Sequence, residues 1–141
     1  MTEYKKVFVD TAPLIYLLER NTLYYDRLEK LFGEWYNAQT IVVTSAITVE
    51  EYCVFPYRQN RKSLISKFEE FIENYGLRVY SIETAIAKKA AWIRSQFPGF
   101  KAMDALQLAV AETYHCDCFL TNDKQLRQYA NLNCVVVDAI E

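Results

Sequence analysis

Short apolar runs alternate along the chain with longer stretches in which apolar residues recur every three or four positions. The short runs fall at about residues 7–9, 40–44, 77–80, 118–121 and 134–137. Each is nearly all apolar, as strands buried on both faces of a parallel sheet are. Between them the helical period takes over. Leu14, Ile15, Leu17 and Leu18 mark a helix that begins at Ala12-Pro13, with Thr11 placed to cap it and Pro13 suited to its first turn. Leu28, Leu31, Phe32 and Trp35 share a face of a second helix, at about residues 24–35. A third starts at Ser45 or Thr48 and carries Val49, Tyr52, Cys53 and Phe55; Pro56 is expected to interrupt or end it. Leu64, Ile65, Phe68, Phe71 and Ile72 point inward from a fourth, at about residues 61–74, and Gly76 closes it as a C-cap. A fifth opens at residues 81–84 and runs to about Gln96. The Pro98-Gly99 loop separates it from a sixth at about residues 102–114, and a short helix at about 123–129 precedes the last strand. Strands alternating with helices predict an α/β fold. We expect one domain over residues 1–141, with a mostly parallel sheet of about five strands and helices on both faces.

Composition narrows the class. A chain of 141 residues is the length of one compact domain and buries a core without staples. Its 52% hydrophobic content and only 3 glycines exclude disorder and low complexity. No apolar run approaches the roughly 18 residues of a membrane span. The N-terminal Met1-Thr2-Glu3-Tyr4-Lys5-Lys6 leads into a strand and does not read as a signal peptide, so the expected location is cytoplasmic. There Cys53, Cys116, Cys118 and Cys134 are expected as buried thiols. The Cys-x-Cys of His115-Cys116-Asp117-Cys118 is tighter than zinc sites use. Strand alternation would put both cysteines on one face, which favours the core. The net charge of −2 does not advertise a nucleic-acid binder. Arg58, Arg61 and Lys62, with Lys67 and Tyr57 nearby, are a candidate RNA-binding cluster; a solvated helix face is the plainer account of them.

The acids change the picture. Asp10 stands where the first strand gives way to a helix, and Asp123 follows Cys118-Phe119-Leu120-Thr121-Asn122 in the same kind of place. In open α/β sheets ligands bind in the crevice outside the carboxyl ends of the strands. Glu51 lies one turn into the third helix, on the face of Thr48, with Glu50 competing for its role. Asp104 lies near the start of the sixth helix, three residues after Lys101. Each acid alone has an ordinary account as a cap, a turn or a helix-start charge. Clustered carboxylates raise one another's pKa and need a cation to stay ionised together. A hard divalent metal is the economical partner, and metal-assisted phosphodiester hydrolysis the expected chemistry. Thr11, Thr121 and Asn122 are candidates for orienting the ligands.

Four stretches in this order resemble the PIN-domain family: Val9-Asp10-Thr11-Ala12-Pro13-Leu14-Ile15-Tyr16, Ser45-Ala46-Ile47-Thr48-Val49-Glu50-Glu51, Asp104-Ala105-Leu106-Gln107-Leu108-Ala109 and Leu120-Thr121-Asn122-Asp123. They span nearly the whole chain. Within the family, size and wording resemble the small VapC-type toxin ribonucleases of toxin–antitoxin modules. The resemblance implies an acidic quartet of Asp10, Glu51, Asp104 and Asp123 binding Mg²⁺ or Mn²⁺, with Glu51 in place of Glu50. It implies an endoribonuclease that leaves a 5′-phosphate and a 3′-hydroxyl, a homodimer, and a cognate antitoxin protein. Two other readings stand beside it. One is a non-catalytic RNA- or protein-binding module on the same fold. The other is an aspartate-nucleophile phosphatase, which resembles an Asp-x-Asp pattern that Ala12 breaks.

Overall fold

Val7, Phe8 and Val9 are buried without remainder because the strand that carries them has neighbours on both edges and helices on both faces. The computed structural model describes residues 3–140; Met1 and Thr2 of the N-terminal stretch, and Glu141, lie outside the described residues. The strands β1 (Lys6–Val9), β2 (Ile41–Ser45), β3 (Arg78–Tyr80), β4 (Cys118–Thr121) and β5 (Cys134–Val136) form one sheet in the order β3-β2-β1-β4-β5. Every pairing is parallel, with Phe8 beside Val43 on one side and Phe119 on the other. The chain steps outward from β1 to β3, then returns to the far side of β1 for β4 and β5. The order therefore reverses between β1 and β4, and a crevice opens beyond their carboxyl ends.

Side chains alternate across a strand, which divides the core in two. Phe8, Val43 and Phe119 face α5 (Thr84–Gln96) and α6 (Ala102–Thr113), which contribute Ile86, Ile93, Ala105 and Leu108. The Phe8 and Phe119 rings stack with centroids 5.1 Å apart. Burying a side chain of that size contributes about 1.5–3 kcal/mol. Val7, Val9, Val42 and Leu120 face the other way, onto α1 (Thr11–Leu18) and α2 (Tyr25–Asn37) through Leu14, Leu28, Phe32 and Trp35. A smaller cluster joins α3 (Ala46–Arg58) to α4 (Lys62–Tyr75) through Tyr52, Cys53 and Phe68.

Several local expectations need correction. Asp10, not Thr11, is the N-cap of α1: its carboxylate accepts from the Thr11 N–H, and Thr11 is already helical. Pro56 neither interrupts nor ends α3, which runs on to Arg58. A proline near the C-terminal end removes one hydrogen bond, and the last turn is closed by the Gln59 N–H on the Phe55 carbonyl, 3.0 Å. Phe55 is exposed, whereas Tyr52 and Cys53 on the same helix are buried. On α4 only Phe68 is fully buried, while Leu64, Ile65, Phe71 and Ile72 are half-buried. Cys116 and Cys118 lie in different halves of the core, because β4 begins only at Cys118 and His115, at φ 58°, turns the chain before it. Both thiols are buried, and burial pushes each pKa up to about 12, as expected of core cysteines. The short helix after Asp123 is a 3-10 turn, Lys124–Gln128. Among the described residues no helix is long and apolar enough to cross a membrane.

Candidate active site

The strand ends at the reversal point deliver polar side chains into one crevice. Asp10 follows β1, and its N–H still donates to the Leu120 carbonyl of β4, 2.9 Å. Its Oδ1 accepts from the Thr11 N–H at 2.9 Å and from Gln107 Nε2 at 3.3 Å; its Oδ2 accepts from Thr121 Oγ1 at 2.9 Å. The residue is only 8% exposed. Burial holds its carboxyl above the usual carboxylate range; the hydrogen bonds from Thr11, Thr121 and Gln107 pull it down, and the Glu51 charge pushes it up.

Glu51 projects from α3, where its Oε1 accepts from Thr11 Oγ1 at 2.6 Å. Glu50, its competitor in the sequence, is exposed and does not line the cleft. Asp104 lies half-buried in the first turn of α6. Its carboxyl is pushed up to about 6, first by burial and then by the charges of Asp10, Asp123 and Glu51; Lys101 opposes them. Asp123 caps the 3-10 turn, accepting from the Gln125 N–H at 3.0 Å, and its own N–H donates to Thr121 Oγ1 at 3.1 Å. Asn122 donates to the Tyr16 hydroxyl at 3.2 Å and accepts from the Asp138 N–H at 3.1 Å. All four acids line one open cleft of about 920 Å³, together with Thr11, Tyr16, Thr121 and Asn122.

Arg58, Arg61 and Lys62 are exposed around the α3–α4 turn and do not line this cleft. The cations that line it are Lys101 and Lys124. Lys124 also approaches Asp138, at 3.7 Å. His115, the single histidine, is exposed and lies outside the cleft lining.

Beneath the acids lies a buried polar layer, in which the sequence points to Thr11 and Thr48 but not to Thr44 or Gln107. Thr44 Oγ1 is 2.8 Å from the Val9 carbonyl and 2.7 Å from Thr48 Oγ1; Thr48 Oγ1 is 3.2 Å from Thr11 Oγ1. Ser45 caps α3 through the Ile47 N–H. Gln107 reaches across from α6 to this layer. Among the described residues no buried side-chain nitrogen or oxygen lacks a partner. Polar residues at a strand end, and one glutamine inside Leu106-Gln107-Leu108-Ala109-Val110, were the only signals available.

The donor set facing the cleft is all oxygen, which suits a hard divalent cation. Among the described residues no three or more His, Cys, Asp or Glu form a ready metal cage. Mg²⁺ needs none, since it keeps several waters and takes one or two carboxylates directly. The residues present fit such an ion.

A family model described as PIN domain matches residues 7–132. Among solved structures, the chain is similar to VapBC from Salmonella typhimurium bound to DNA, with a TM-score of 0.77, 17% identity, and coverage of 94% of this chain and 98% of that one. It is similar to FitAcB from Neisseria gonorrhoeae, with a TM-score of 0.69, 19% identity, and coverage of 95% and 99%. It is similar to Mycobacterium tuberculosis VapC20, described as a toxin that cleaves the sarcin-ricin loop, with a TM-score of 0.63, 18% identity, and coverage of 80% and 86%. At these identities the likeness is one of fold. No curated protein sequence matches the chain significantly.

Proposed function

Because this chain belongs to the PIN-domain family, we propose that it is a divalent-metal-dependent endoribonuclease, the toxin of a type II toxin–antitoxin module. The observation that carries the reading is the convergence of Asp10, Glu51, Asp104 and Asp123 on one cleft, close enough that the other three bear on the half-buried Asp104 carboxyl. A cluster that costly to ionise is maintained where a cation, and the chemistry it serves, require it.

Asp10 and Asp104, with Glu51 and Asp123 beside them, would hold the Mg²⁺ or Mn²⁺ ion. The chemistry the ion supplies is Lewis-acid polarisation of the scissile phosphate. Thr11 and Thr121 orient the carboxylates of Glu51 and Asp10 by the hydrogen bonds they donate. A carboxylate of the same cluster accepts the proton of the attacking water. Lys101 and Lys124, at the cleft wall, bind RNA phosphates beside the cut. The toxin–antitoxin complexes among the structures it resembles support a cognate antitoxin partner, which on this reading covers the cleft and holds the protein inactive; a homodimer is part of the same proposal and rests on the family resemblance alone.

The test is cleavage of a mixed RNA pool by the purified protein with Mn²⁺ or Mg²⁺, with EDTA, and with Asp10→Asn. The expected result is cleavage that needs the metal and disappears in the variant. Metal-dependent RNA binding without cleavage would instead favour a binding module.

A further inference from the structure

Gln107 is 1% exposed and stands among the apolar Ala105, Leu108, Ala109, Val110 and Ala111 on the buried face of α6. A carboxamide has one carbonyl acceptor and two N–H donors, and this one uses both ends. Its Oε1 accepts from Ser45 Oγ at 2.5 Å. Its Nε2 donates to Thr48 Oγ1 at 2.8 Å and to Asp10 Oδ1 at 3.3 Å. The Asp10 carboxylate only accepts, so it fixes Nε2 as the end that faces it and leaves Oε1 to the Ser45 hydroxyl. Thr48 continues the line: its hydroxyl is 3.2 Å from Thr11 Oγ1, which donates to Glu51 Oε1 at 2.6 Å. Gln107 thus touches one acid directly and reaches a second through two hydroxyls, although it lines no part of the cleft.

We infer that Gln107 is a positioning residue, which holds the Asp10 carboxylate in one orientation and ties it to Glu51, so that the two acids meet a divalent cation as a unit. The inference rests on the ribonuclease reading above. Core packing alone does not call for glutamine here, since an aliphatic residue fills such a site without polar atoms to satisfy. Three polar groups, from the α1 cap after β1 (Asp10), the end of β2 (Ser45) and α3 (Thr48), converge on it, and each would lose a partner with it.

The test compares wild type, Asp10→Asn, Gln107→Leu and Gln107→Asn, the last keeping the carboxamide but withdrawing it by one methylene. Mn²⁺ alone is titrated by calorimetry well below each variant's unfolding temperature, with thermal midpoints recorded separately. Cleavage is then followed at saturating Mn²⁺. Both Gln107 variants are expected to bind Mn²⁺ at least about tenfold more weakly, and to lower kcat while leaving KM for RNA unchanged. A merely structural glutamine would lower the thermal midpoint and leave the affinity of the folded protein alone. Should Gln107→Leu fail to fold, Gln107→Asn decides. If the wild type binds Mn²⁺ through Asp10 and a folded Gln107 variant binds within about twofold of it, the inference is overturned and the ribonuclease reading stands. If the wild type binds no Mn²⁺, or Asp10→Asn binds as tightly, both are overturned.

Discussion

Asp104 holds its proton to about pH 6 because burial and three neighbouring acids disfavour its charge. A folded-state pKa raised above the unfolded value carries a definite sign. Well below pH 4 the group is protonated in both states and its contribution to stability is fully present. As pH rises through about 6 the unfolded chain ionises first, and the contribution is lost. Asp104→Asn should therefore stabilise the metal-free protein at pH 7.5 by about 1–2 kcal/mol, after discounting for partial exposure. The gain should fade by pH 4. Thermal denaturation in EDTA at pH 4, 5.5 and 7.5 measures it, and a variant no more stable than wild type at pH 7.5 would remove repulsion from the account. At this scale the acids themselves were legible, since strand ends and helix starts reveal their places. Their supports were less so. Gln107 interrupts an apolar helix with one polar residue, and nothing in its neighbours says that three strand and helix ends converge on it. From the sequence Asp10 reads as either a cap or a ligand; it caps α1 with Oδ1 and also lines the cleft.

Elements obeyed the period of their apolar residues, and the departures have local causes. Four strands are legible as short apolar runs, with bounds that shift by a residue or so, whereas β3, Arg78-Val79-Tyr80, is largely exposed at the sheet edge and does not meet the expectation of burial on both faces. The end of α3 was not legible, because proline's effect depends on how much helix remains after it: here only Tyr57 and Arg58 follow. Gly76 was legible and is informative. It caps α4 at φ 65°, in the left-handed region, and a Cβ added there meets nothing within 4 Å. Gly76→Ala should thus cost only backbone strain, about 1 kcal/mol. Chemical denaturation should show a lower midpoint at unchanged slope, with Mn²⁺ affinity unaltered. A loss of several kcal/mol would mean that α4 and β3 lean on this turn more heavily than its open surroundings indicate.

For the whole molecule, topology places side chains from opposite ends of the sequence around one cleft. The order β3-β2-β1-β4-β5 sets the ends of β1 and β4 side by side, although Asp10 and Thr121 are 111 residues apart. Sequence patterning indicated a parallel sheet, but only strand order decides which ends adjoin, and apolar runs do not encode order. In the folded state the acids repel one another; in the unfolded chain they are apart. A cation that binds the folded cluster and not the dispersed acids must shift the folding equilibrium by mass action. At about a hundredfold excess over its dissociation constant it stabilises by about 2.7 kcal/mol. For a domain of this size that is a rise in thermal midpoint on the order of 10 °C. Mn²⁺ or Mg²⁺ should produce this rise in the wild type, growing with the logarithm of concentration and reversing on chelation. Asp10→Asn keeps a side-chain acceptor at the helix cap and should fold, but its midpoint should hardly respond to the ion. Equal shifts in wild type and variant would assign the stabilisation to cations bound elsewhere on an acidic surface, and the cleft would lose its claim to the metal.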